Sequence, residues 1–98
     1  MLENKFKTEL VGEIKKIFPG AMVVHLDPTE CQGIPDLLVL YKSKWAALEG
    51  KKNAKASHRP NQDYYISKMN DMSFASFIYP ENKEEVLNEL QHTFRARR

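Results

Sequence analysis

Apolar residues recur at helical spacing near the start of the chain. Phe6, Leu10, Ile14, Ile17 and Phe18 form one stripe, which predicts an amphipathic helix from about Leu2 to Phe18. Pro19-Gly20 stops it. Glu9 and Glu13 fall four residues apart on a neighbouring flank, with Glu9 beside the Phe6/Leu10 edge. The period then changes. Ala21 to Leu26 reads as a short strand, and Asp27 to Gly33 as a loop of turn-forming residues. The runs Leu37-Leu38-Val39-Leu40-Tyr41 and Trp45-Ala46-Ala47-Leu48 are apolar on both sides of the strand alternation, with a polar break at Lys42-Ser43. They predict a hairpin inside a sheet covered on two faces. Pro35 lacks the N–H of an interior ladder position and marks a strand start or an edge.

Asn53 to His58 is a polar connection. Pro60 suits a first helical turn, and the helix runs to about Met69 or Asn70, with Tyr65, Ile66 and Met69 as a short buried stripe. Ser73 to Tyr79 is an aromatic-rich strand closed by Pro80. Val86, Leu87, Leu90 and Phe94 place a last helix over about Asn82 to Phe94. The order α-β-β-β-α-β-α predicts an α/β fold with a central mixed sheet flanked by helices. At 98 residues the chain is read as one domain, without repeats or low-complexity tracts.

Composition narrows the classes. No apolar run approaches the roughly 18 residues of a membrane span, and no signal-peptide core opens the chain. A single cysteine excludes an intrachain disulfide and suits a reducing cytoplasm. The net charge of +2 says little, but its distribution says more. Lys51, Lys52, Lys55, His58 and Arg59 follow the second hairpin strand, and Arg95, Arg97 and Arg98 lie at the end. Either cluster suits phosphates or simple solvation. Lys52, Lys55, His58 and Arg59 are the better phosphate candidates, because the chain carries them past the acids described next.

With Lys42 and Ser43 as the turn, Leu40 faces Trp45, Leu38 faces Ala47 and Asp36 faces Glu49, the last two with Cβ atoms roughly 5 Å apart. Lys51 points to the same face as Glu49. Acids at strand ends also occur as solvent-facing groups, with Lys51 merely neutralising Glu49. Three features favour a site. The strands otherwise read as buried, where isolated charge is costly. Two carboxylates this close repel unless a cation lies between them. Gly33 and Gly50 leave backbone room for a ligand. Two carboxylates and a backbone carbonyl make an all-oxygen site suited to Mg²⁺, with Lys51 to orient the attacking water and stabilise charge on a transferring phosphoryl group.

At Gly33-Ile34-Pro35-Asp36 and Glu49-Gly50-Lys51 the chain resembles the PD-(D/E)XK nuclease superfamily, and within it the VRR-NUC domains, especially the small stand-alone versions from phages. Gln62, in Arg59-Pro60-Asn61-Gln62, matches the glutamine those domains carry on the next helix. The resemblance spans roughly Glu3 to Leu90. It implies a restriction-endonuclease-like fold and Mg²⁺-dependent hydrolysis of DNA phosphodiesters, with Mn²⁺ as a substitute metal. The implied product ends are 5′-phosphate and 3′-hydroxyl. Small members are similar to Holliday-junction resolvases, which implies a homodimer acting on branched or structured DNA, and a phage enzyme working in the host cytoplasm. By the same likeness Asp36 and Glu49 are metal ligands, the Gly50 carbonyl is a third, Lys51 is the catalytic lysine and Gln62 lines the site. Glu9 is the best match for a helical glutamate that completes it, with Glu13 and Glu3 as alternatives. Gly50 departs from the pattern, because such domains usually carry a bulkier apolar residue there.

Other residues read more plainly. His25 fits a core or edge position, Cys31 a loop thiol, and Trp45 packing or a dimer contact. Two other function classes stand beside the nuclease: a catalytically silent nuclease-like subunit that binds DNA or joins an assembly, and a structural dimerisation module.

Overall fold

The computed structural model describes residues 3–95. Leu2, Arg97 and Arg98 lie outside them. The elements follow the expected order: α1 (Glu3–Ile17), β1 (Met22–His25), β2 (Leu37–Tyr41), β3 (Lys44–Gly50), α2 (Pro60–Met72), β4 (Ala75–Ile78) and α3 (Lys83–Arg95). The sheet order is β1-β2-β3-β4. The first three strands pair antiparallel, and β4 joins β3 in parallel. A parallel partner requires a crossover, and α2 supplies it. The fold is therefore α/β with a four-stranded mixed sheet flanked by helices. The hairpin register is the expected one, running from Tyr41↔Lys44 through Leu38↔Ala47 to Leu37↔Leu48. Lys42 takes a left-handed conformation (φ 57°) to make the tight turn.

The two faces of the sheet are filled differently. On one face Leu37, Val39, Ala46, Leu48 and Ile78 are fully buried. They pack with Phe6, Leu10 and Ile14 of α1, Phe18 just beyond it, and Val86, Leu87, Leu90 and Phe94 of α3. Phe18, Tyr41 and Phe94 close that end as an aromatic cluster, with ring centroids 5.0 to 5.8 Å apart. Each fully buried Val, Leu or Ile side chain here contributes about 1.5–3 kcal/mol relative to exposure.

Helices lie on both faces, as expected, but coverage of the second face is partial. Helix α2 lies over β3 and β4, the two strands it connects. Ala47 and Ala75 are buried there, while Val24, Leu38, Leu40 and Trp45 are only half-buried and Met22 is exposed. None of the residues of α2 is fully buried; Tyr65, Ile66 and Met69 are half-buried, against the buried stripe expected of them. One crossover helix spans two strands, and among the described residues no second helix covers the β1–β2 half of this face.

Candidate active site

Antiparallel pairing brings the start of β2 and the end of β3 to one end of the sheet. The ladder closes at Leu37↔Leu48, and Asp36 and Glu49 stand one step further on. The Gly50 N–H points to Asp36 Oδ1 at 3.4 Å. Glu49 is 6% exposed. Burial, and next the neighbouring Asp36 charge, push its pKa up to about 7, although Lys51 and Lys7 pull the other way. Asp36 Oδ2 is buried and makes no properly directed hydrogen bond, yet the Lys7 ammonium lies directly against it. The two observations describe one contact, an ion pair without hydrogen-bond geometry.

Lys51 is buried at the end of β3, where its N–H donates to the Ile78 carbonyl (2.8 Å). Its ammonium donates to the Ser57 carbonyl (3.1 Å) and to Gln62 Oε1 (2.8 Å). Gln62 sits in the first turn of α2, where Oε1 also accepts the Arg59 N–H (3.0 Å). Two donors on that oxygen assign the amide, so Nε2 faces Glu49 Oε2 at 3.3 Å. Gln62 thus ties the first turn of α2 to Glu49 of β3 and to Lys51 just beyond it. Lys51 reaches Glu49 through this amide, not through the direct ion pair of the solvation reading.

These groups floor a cleft of about 1100 Å³. Lys52, Lys55 and Arg59 line it with Lys7 and Lys51, so that a largely cationic wall surrounds an acidic floor. Gln32, Gly33 and Ile34 of the β1–β2 loop form the facing side. Gly33 holds φ +92°, and a Cβ there would fall 2.3 Å from Asn61 Cβ and 2.9 Å from the Asn61 carbonyl carbon. The loop can lie against the first turn of α2 only because residue 33 has no side chain.

The structure brings together Asp36, Glu49, Gly50, Lys51 and Gln62. Glu9 is not among them. It lies on the exposed side of α1, because the buried stripe Phe6, Leu10, Ile14 turns the Glu3/Lys7 edge toward the cleft. Of the alternatives, Glu13 pairs with Lys83 (2.7 Å) away from the cleft, and Glu3 lines it, bound to Lys7 (3.1 Å). His58 is also corrected. It stacks on Phe77 (3.9 Å between centroids) and pairs with Asp63 (3.0 Å) instead of lining the cleft. Cys31 donates to the Tyr65 hydroxyl (3.0 Å), and His25 is exposed on the edge strand β1.

Lys7 is the residue that sequence reasoning missed. Its ammonium bridges Asp36 and Glu3, and its stem crosses Gly50, where a Cβ would meet Lys7 Cγ at 2.9 Å and Cε at 3.0 Å. Burial works against its charge, but the close carboxylate of Asp36, and then that of Glu3, outweigh it and raise the Lys7 pKa. One signal was present: Lys7 follows the buried Phe6, shares a helix edge with Glu3, and Gly50 lacks a side chain beside Lys51.

No group of three or more His, Cys, Asp or Glu side chains arranged to hold a metal occurs among the described residues. The donors at the end of the sheet are the two carboxylates of Asp36 and Glu49 and backbone oxygen, with Glu3 at the cleft held by Lys7. That suits Mg²⁺, which keeps several waters and takes one or two protein carboxylates, the rest coming from substrate phosphate. The buried Asp36 Oδ2 has no directed hydrogen bond and already meets one cation, the Lys7 ammonium. Among the described residues no helix is long and apolar enough to cross a membrane. Compared with protein-family models, with curated proteins and with solved structures, the chain matches none.

Proposed function

We propose that the protein is a divalent-metal-dependent endodeoxyribonuclease for structured or branched DNA, with Holliday junctions within its range. The observation that carries this reading is the pairing of Asp36 with Glu49 beside a buried Lys51 fixed by Gln62, under a rim of cations. Asp36 and Glu49 would hold Mg²⁺ or Mn²⁺. Backbone groups alternate along a strand, so the Gly50 carbonyl shares the β2-facing side with the N–H aimed at Asp36 and is the natural third oxygen. The bound metal supplies a water of lowered pKa and Lewis-acid stabilisation of the phosphoryl oxygens.

The chain's own residues do the rest. Ser57 and Gln62 accept two hydrogen bonds from the Lys51 ammonium and leave its third proton for the attacking water or a non-bridging phosphate oxygen. Lys52, Lys55 and Arg59 bind flanking phosphates, which places the backbone without reading its sequence. The same proposal takes the active form as a homodimer, so that two clefts address two strands, and the setting as a phage-infected cytoplasm.

A second reading, a nuclease-like subunit that binds DNA without cutting it, is favoured by one observation: the Lys7 ammonium already sits on Asp36. Cleavage of branched and linear DNAs with Mg²⁺ and Mn²⁺ separates the two. Nuclease activity that falls by about 100-fold or more in Lys51→Ala and Glu49→Ala supports the first, the scale expected for lost transition-state stabilisation. Cleavage at equal rates by wild type and both variants removes the mechanism. Binding without cleavage in both metals establishes the second.

A further inference from the structure

Lys7 lines the cleft, yet the proposed chemistry assigns it nothing. Three features make it more than a passing surface lysine. Its ammonium contacts Asp36 Oδ2, a buried carboxylate oxygen that lacks a directed hydrogen bond. It is held from the other side by Glu3 Oε2 at 3.1 Å. Its stem occupies the space a side chain at residue 50 would take, with Lys7 Cγ only 2.9 Å from the place of a Cβ. The lysine is therefore seated, with one carboxylate drawing it in, a second steadying it and a glycine making room.

We propose that Lys7 is the resident cation of the Asp36–Glu49 pair, competing with the divalent metal for Asp36, and that Gly50 is the seat that lets it do so. The inference rests on the metal-site reading above. Two carboxylates at the end of a sheet repel, and the Lys7 charge offsets that repulsion while no metal is bound. A metal entering at Asp36 meets the same oxygen that Lys7 holds, so the ammonium must swing away along the open edge of α1. Its charge then stays with the cations that line the cleft and would receive DNA. Lys7 in this role sets how much free metal the site requires; it is a positioning residue, not a ligand.

The test is calorimetric titration of the intact protein with Mn²⁺, without DNA, beside the thermal midpoint with and without Mn²⁺. Lys7→Met is expected to bind Mn²⁺ about tenfold more tightly, the scale of releasing one close, partly buried ion pair. Its metal-free midpoint should fall and be restored by Mn²⁺. Gly50→Ala keeps the charge but fills the seat, and should also tighten binding, by a smaller factor. It serves as the second variant if Lys7→Met folds poorly. Unchanged or weaker Mn²⁺ binding in both variants, with wild type binding normally, overturns the proposal and leaves the metal site standing. Absence of Mn²⁺ binding in wild type and both variants overturns the metal site and this proposal with it.

Discussion

Strand β3 is bounded by two different media. Ala46 and Leu48 point into a dry core closed by α1 and α3, and both are fully buried. Glu49 and Lys51 are almost as deeply buried, but in polar company: another carboxylate, a glutamine amide, a backbone carbonyl and an open cleft. The same backbone thus presents groups that stabilise the fold on one side and groups that strain it on the other. Burying Leu48 is favourable by itself. Burying Glu49 beside Asp36 is not, and its raised pKa records the cost. A small sheet can carry such a site only where its opposite face is well packed.

The sharpest way to break this comparison is to alter neighbouring residues of β3 and read stability by urea unfolding. Leu48→Ala removes a side chain with no exposed surface and should cost about 3 kcal/mol, within the range for buried leucines. Glu49→Gln keeps an acceptor for Gln62 Nε2 but removes the charge. In metal-free protein at pH 8 it should be neutral or stabilising. A loss at Glu49→Gln as large as that at Leu48→Ala would mean that the charged face holds the fold together, and the contrast would fail.

A smaller effect belongs to the cleft side alone. Gly33→Ala forces a side chain into a left-handed conformation and against the Asn61 backbone. The φ penalty is about 1 kcal/mol and the contact adds roughly as much again. Gln62 is the neighbour of Asn61, so the displaced turn should also loosen the Lys51–Gln62–Glu49 bridge. The check is a urea midpoint together with amide exchange at Arg59 and Gln62. Fast exchange there, with the α1 and α3 amides still protected, would localise the damage to the cleft. Uniform loss of protection would instead tie the loop to the core.

What the chain shows without its structure follows the same division. The dry face was legible because periodicity reports burial. Phe6, Leu10 and Ile14 repeat every four residues, and the hairpin's alternation with its polar turn fixes a register that one slip would ruin. Asp36 opposite Glu49 came from that register, and Gln62 from resemblance. Among the helical glutamates the preferred Glu9 was the wrong choice and the alternative Glu3 lines the cleft, because a helix's rotation against a sheet depends on which apolar residues seat deepest. That rotation turned Glu3 and Lys7 inward and left Glu9 outside. His58 was misread for a similar reason: its sequence neighbours are cationic, but its packing partner Phe77 comes from β4. The half-bare second face was hidden because apolar residues on both sides of a strand predict cover, whereas the extent of cover depends on how many helices the topology supplies.

The finest test of the contrast is pH. Glu49 rises from an ordinary 4.5 to about 7 in the folded, metal-free protein, chiefly through burial and then through Asp36. The native state therefore binds the proton more tightly than the unfolded chain. Below about pH 4.5 both states are protonated at Glu49 and its contribution is fully present. Between about 4.5 and 7 the unfolded chain ionises first, so stability falls as pH rises, and above about 7 the contribution is gone. At ~1.4 kcal/mol per pKa unit, and with water entering the open cleft, the swing should reach about 2 kcal/mol. Urea unfolding of wild type and Glu49→Gln across pH 4 to 8 isolates it. The difference between the two proteins should slope through that window and flatten above it, and saturating Mn²⁺ should abolish the slope by favouring ionised Glu49. A flat difference would place Glu49 in ordinary solvent and return the cleft face to the rank of plain surface.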